Sequence, residues 1–265
     1  MTETPSASTG TSAIVPGRLR NFVEMTLQTR QAQRLLQGRR GADGKPPIIG
    51  LYRYGAIVRT IWAGAARNDP YADWYLLQVE QALSESKDEL ATMKQTIESD
   101  MARMSAVQVS LAHSIEPAKV ELTFSNPYGY MGGWLLVDMD ELVLSALTAR
   151  HVGLMTREAS ERLLQAAGRV VRRALASAQG YRTTAVTRKD ITDGTHRATI
   201  AKQVMGELPQ AVIDGALRPE HAPAIEGLHQ STQEAGHTVA TPNAADEDAP
   251  DADSGNEEHA NGDPS

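Results

Sequence analysis

The densest chemistry in the chain sits in fifteen residues. From Thr26 to Arg40 the sequence reads Thr-Leu-Gln-Thr-Arg-Gln-Ala-Gln-Arg-Leu-Leu-Gln-Gly-Arg-Arg, with four Arg, four Gln and no acid. Arg pairs bidentately with phosphate or with a guanine edge, and Gln offers the joint donor and acceptor that an adenine edge requires. Around its start, Val23, Met25 and Leu27 alternate with Glu24, Thr26, Gln28 and Arg30. That period of two predicts a strand with one apolar and one polar face. A solvated surface strand and helix is the plain alternative for such a run.

Catalytic chemistry does not assemble from the remaining residues. The run Gly38 to Lys45 ends in Gly-Lys, but Arg39 stands where a phosphate-binding loop needs Gly, and Pro46 replaces its Ser or Thr. The chain has no Cys, so it has no disulfide, thiolate metal site or cysteine nucleophile. Of the seven His, four (His221, His229, His237 and His259) lie near the C-terminus, and no pair has a metal-ligand helix spacing. Asp138, Asp140 and Glu141 form an acidic group that helix capping explains more simply than acid–base work. No enzyme, cofactor or metal is expected. No apolar run reaches the roughly 18 residues that span a bilayer, and the first seventeen residues lack a signal-peptide pattern, so a soluble, cytoplasmic chain is expected.

The net charge of −7 conceals a basic body. The last Lys or Arg is Arg218, and beyond it lie eleven acids and no base; without those eleven, 22 acids face 26 bases, so residues 1–218 carry +4. Twenty of the bases are Arg, the residue suited to planar bidentate recognition. Residues 1–17 are rich in Thr, Ser, Gly and Pro, and the stretch from 219 to 265 in Pro, Ala, Asp, Glu, Asn and Gly. Both read as disordered, around one folded domain at 18–218.

Within that domain the pattern predicts a mainly helical α+β fold. After the opening strand, Gln31 to Gln37 should be helical, and residues 48–66 give a core helix. Asp69-Pro70 opens a long helix in which Leu76, Leu83, Leu90, Ile97 and Met104 recur every seven residues. Half a heptad pattern suits either packing within the fold or a dimeric coiled coil. Val107, Val109 and Leu111, then Val120, Leu122 and Phe124, resemble a short β-hairpin. Asn126 to Tyr130 reads as a turn, and Gly133-Trp134-Leu135-Leu136-Val137 as a buried strand. Asp138 with Glu141 then suggests a capping box for a helix to His151. Thr156 caps a further helix with Leu163, Leu164, Ala167, Val170, Val171, Ala174 and Leu175 on one side and Arg162, Arg169, Arg172 and Arg173 on the other. Strand, helix, Gly-containing turn and basic helix is an order related to helix-turn-helix and ribbon-helix-helix proteins.

Several rare phrases occur in order: Leu-Gln-Thr-Arg-Gln-Ala-Gln-Arg-Leu from Leu27, Pro-Pro-Ile-Ile-Gly-Leu-Tyr-Arg-Tyr-Gly from Pro46, Asp-Pro-Tyr-Ala-Asp-Trp from Asp69, Asn-Pro-Tyr-Gly-Tyr from Asn126 and Leu-Thr-Ala-Arg-His-Val-Gly-Leu from Leu147. With Ala-Ser-Ala-Gln-Gly-Tyr-Arg from Ala176 and Gly-Glu-Leu-Pro from Gly206, residues from about 18 to 225 resemble a protein family encoded on bacterial integrating conjugative elements. That family is similar to the AcaB-like transcriptional activators of conjugative plasmids. The resemblance implies a ribbon-helix-helix-like module with a long extra helix, binding promoter DNA as an oligomer and regulating conjugation genes. A ribbon needs a polar face, which Gly133 to Val137 lacks; residues 23–30 and 119–125 are the candidates, and the strand ending at Arg30 is preferred.

The combined expectation is a DNA-binding transcription regulator acting on double-stranded DNA as a homodimer or higher homo-oligomer. Thr26, Gln28 and Arg30 would meet base edges, and Arg34, Arg39, Arg40, Arg169, Arg172 and Arg173 would meet phosphate. The alternative is a non-enzymatic accessory protein of conjugative transfer or element maintenance, holding a protein partner through the long helix.

Overall fold

The computed structural model of the chain describes residues 23–41, 44, 46–103 and 109–226. In order come strand β1 (Val23–Leu27), helix α1 (Arg30–Gln37), the two-residue strands β2 (Gly38–Arg39) and β3 (Ile48–Ile49), helices α2 (Leu51–Ala66) and α3 (Pro70–Ala102), strand β4 (Ala118–Leu122), helices α4 (Pro127–His151) and α5 (Arg157–Ala176), and the short helices α6 (Arg188–Thr192), α7 (His196–Met205) and α8 (Gln210–Ile213).

The two longest helices begin with the same chemistry. Asp69 accepts the Tyr71 and Ala72 N–H groups before Pro70, and Asn126 accepts the Gly129 N–H before Pro127. A short polar acceptor at the N-cap followed by Pro at N1 satisfies an orphan donor and fixes the first helical φ. Asn126 to Tyr130 is therefore a helix start and not a turn. The apolar run Gly133 to Val137, expected as a strand, continues inside α4. Its periodicity is ambiguous because α4 is enclosed, with Leu135, Leu136, Met139, Leu142 and Val143 all buried. Asp138 consequently lies in mid-helix and caps nothing, while Thr156 caps α5 as expected by accepting the Ala159 N–H.

Helix α4 packs against α1, α2, α3, α5 and β1. Leu76, Leu83, Leu90 and Ile97 of α3 are buried, and α3 packs on α4, α2 and α5. The heptad seam is thus used within the fold. Met104 and Val107 lie outside the described residues.

The expected hairpin gives way to a longer-range pairing. Residues 109–111 form no strand, and β4 pairs antiparallel with β1, placing Glu24 opposite Glu121, Met25 opposite Val120 and Thr26 opposite Lys119. The two segments that the sequence offers as rival ribbons are partners of one another. Met25, Leu27 and Leu122 turn inward and are buried. Pairing with β4 occupies one edge of β1 within the chain.

At the other end, the tail expected to begin at residue 219 stays attached through residue 226. The Glu226 N–H donates to the Ala66 carbonyl at 2.8 Å, and the Trp62 indole N–H donates to the His221 carbonyl at 3.2 Å. The anchor is Asp73, fully buried on α3. It pairs with Arg188 at 2.6 Å and with Arg218 at 2.8 Å. Residues 1–17 and 227–265, expected to be disordered, lie outside the described residues.

Candidate nucleic-acid interface

The corner between β1 and α1 is held by one buried acid. Asp140, on α4, accepts the Gln28 N–H at 2.6 Å, the Thr29 N–H at 2.9 Å and the Thr29 hydroxyl at 2.5 Å. Thr29 in turn caps α1 by accepting the Ala32 N–H. At the far end of α1, Gly38 has φ +71 and a Cβ there would lie 2.2 Å from the Ile48 carbonyl oxygen. Only Gly permits that turn and that approach, which lead the chain directly from α1 into the β2–β3 pair.

This geometry carries Arg34 and Arg39 to face α5. Between α1, the β2–β3 pair and α5 lies a cleft of about 730 Å³, lined by Arg34, Arg39 and Arg172 with Gln31, Gln37 and Gln165. Its apolar wall includes Leu35, Ile48, Met139 and Leu164. Arg172 is half-buried. Burial first, and then the charges of Arg169 and Arg39, push its guanidinium below its ordinary pKa, which leaves it charged at neutral pH. Among the described residues no carboxylate forms a salt bridge with Arg34, Arg169 or Arg172; Glu161, which also lines the cleft, is paired with Arg157 at 2.8 Å. Three Arg against one carboxylate that is already paired leave an excess of positive charge, which favours an anion at that spot.

Three of the expected phosphate residues, Arg34, Arg39 and Arg172, are thus brought together at the cleft, and Arg169 lies near enough to Arg172 to repel it. Arg40 is exposed just after β2. Arg173 points elsewhere, ion-paired with Glu89 on α3. The expected base-reading residues do not line the cleft. Thr26 is exposed on the outer face of the β1–β4 sheet, beside Glu24, Glu121 and Lys119, and Glu24 pairs with Lys119 at 3.3 Å. Two acids against one Lys make a poor surface for a polyanion. Gln28 is half-buried, and its side-chain oxygen accepts the Ser114 N–H at 2.9 Å, while Arg30 is exposed at the start of α1.

Sequence reasoning missed Gln165 and Gly168. A signal was available: a lone Gly inside a basic helix costs about 1 kcal/mol against Ala, and an interior Gly commonly has a packing reason.

No curated protein matches the chain. Among solved structures, it is similar to the selenomethionine-containing AcaB of uropathogenic E. coli, a crystal structure, with a TM-score of 0.52 and 11% sequence identity over 76% of this chain and 98% of the other. At that identity the likeness is one of fold. Residues 15–226, which include every element above, match the family described as transcriptional regulator AcaB. The chain belongs to the AcaB family of transcriptional regulators.

Proposed function

We propose that the protein regulates transcription by binding double-stranded promoter DNA of an integrating conjugative element, as a homodimer or higher homo-oligomer. The observation that carries this reading is the convergence of Arg34, Arg39 and Arg172 around one cleft, with Arg169 near enough to repel Arg172 and none of the four in a salt bridge among the described residues, in a chain of a regulator family. These residues and Arg40 contact phosphate. Of the three residues expected at base edges, Arg30, exposed at the start of α1, is the one proposed for that role, since acids flank Thr26 and Gln28 is half-buried against Ser114.

The test is a titration of the full chain with duplex DNA from its element at several salt concentrations. Affinity should fall steeply with salt, and replacing Arg39 and Arg172 by Ala should lower the log–log slope by about one per lost contact. Binding that ignores salt, or that survives both substitutions unchanged, would remove this function.

A protein-partner role in conjugative transfer is favoured by a different feature. Trp134 is 60% exposed beside a groove of about 400 Å³ between α3 and α4, lined by Leu83, Met131 and Leu135. A pull-down with the native chain that fails with Trp134→Ala, in a protein indifferent to DNA, would support that role instead.

A further inference from the structure

We propose that the cleft between α1, the β2–β3 pair and α5 is a specific phosphate site in which Gly168 seats the Arg172 guanidinium. Where the phosphate belongs to DNA, this rests on the function proposed above. Gly168 lies one helical turn before Arg172 on α5. A Cβ at Gly168 would come 3.0 Å from Arg172 Nη1, and its next neighbours, Arg172 Cζ and Met139 Cε, are 3.8 Å away. The guanidinium therefore folds back over the bare backbone of its own helix, in space that any side chain at 168 would enter. A long Arg side chain on an exposed helix ordinarily extends into water and keeps its rotamer freedom. Here it lies half-buried, with Arg39 and Arg169 near enough to repel it and no carboxylate paired with it among the described residues.

The ligand that satisfies this arrangement is a phosphate group. Its oxygens accept from a planar guanidinium in pairs, and its charge offsets the mutual repulsion of the three Arg. Gln31, Gln37 and Gln165 add neutral donors, and the volume of about 730 Å³ exceeds what one phosphate needs. The wall of Leu35, Ile48, Met139 and Leu164 gives the remainder an apolar lining against which a sugar or base can lie. A phosphate of the DNA backbone and a free nucleotide share this chemistry.

The measurement is calorimetric titration of the full-length chain with pyrophosphate, repeated in the presence of duplex DNA. Saturable binding is expected, weakened about tenfold by Arg172→Gln and about threefold by Gly168→Ala, and unaffected by Arg173→Ala. Gly168→Ala should leave the melting temperature unchanged or higher, because Ala is the better helix former and only the end of a flexible side chain must move. Competition between pyrophosphate and duplex would assign the site to DNA phosphate, whereas independent binding would assign it to a free anion. Absence of saturable binding, or binding insensitive to both cleft substitutions, would overturn the site. A chain that binds pyrophosphate in this way but binds no duplex would refute the function proposed above and leave the site standing.

Discussion

Two buried carboxylates show how differently single residues serve this fold. Asp140 forms no salt bridge among the described residues and instead satisfies the backbone where β1 turns into α1. Asp140→Ala leaves buried N–H groups without acceptors, so unfolding free energy should drop by about 2–4 kcal/mol in urea melts. Arg34 and Arg39 should lose their placement as well, and DNA affinity should fall further than stability alone accounts for. Asp69 has a pH signature. Burial raises its pKa above 3.8, more than the hydrogen bonds from Tyr181, Ala72 and Tyr71 lower it. The folded state therefore binds its proton more tightly than the unfolded one. The stabilisation from that proton is complete below the unfolded pKa and is lost as pH rises through the folded value. Asp69→Asn keeps an N-cap acceptor, so the stability it gains over the native chain should be larger at pH 7 than at pH 4. A gain of the same size at both pH values would contradict this assignment.

Among the elements, local signals served well and long-range ones did not. Thr156, Asp69-Pro70 and the apolar stripe of α5 are legible because caps and helical periods are written in adjacent residues. Asn126-Pro127 carries the same signal as Asp69-Pro70, yet the Tyr and Gly residues after it favour a turn reading. The pairing of β1 with β4 has no local signature, since α1, α2 and α3 intervene and only the folded core brings the two strands into register. The basic cleft was half legible. Its Arg residues stand out in the sequence, but the separation of Arg172 from Arg173 depends on which side of α5 meets α3. That separation is measurable: Arg172→Ala should weaken DNA binding by roughly tenfold, the effect of one lost charge-assisted contact, while Arg173→Ala should leave it within about twofold. Equal losses from both would show that the face of α5, and not the cleft, is the contact.

At the scale of the molecule, the structure joins distant parts of the sequence through charge. Asp73 takes two guanidinium groups, and Arg188 also reaches the Asn68 side chain and the Val212 carbonyl. Arg188→Ala leaves Asp73 with Arg218 alone and removes the donor to Asn68 and Val212, so it should cost about 1–3 kcal/mol, visible as a lower denaturant midpoint with an unchanged slope. Among the described Arg residues, Arg188 and Arg218 neutralise the protein's own interior, several others form surface ion pairs, and Arg34 and Arg172 have no carboxylate partner and are the ones proposed to take a charge from outside. Composition cannot separate these groups; only the placement of the acids does. No helix among the described residues is long and apolar enough to cross a membrane.

The double clasp on Asp73 also sets an order of events at the ribosome. Helix α3 emerges early, with a carboxylate that belongs in its interior, and both of its counter-charges are among the last basic residues to be made. Arg188 supplies the first counter-charge and Arg218 the second, so α3 seats that acid with both partners only after Arg218 has left the exit tunnel. Closure of the full clasp therefore comes only after nearly the whole domain has been synthesised, and the last of its basic residues completes a contact that begins on its longest helix.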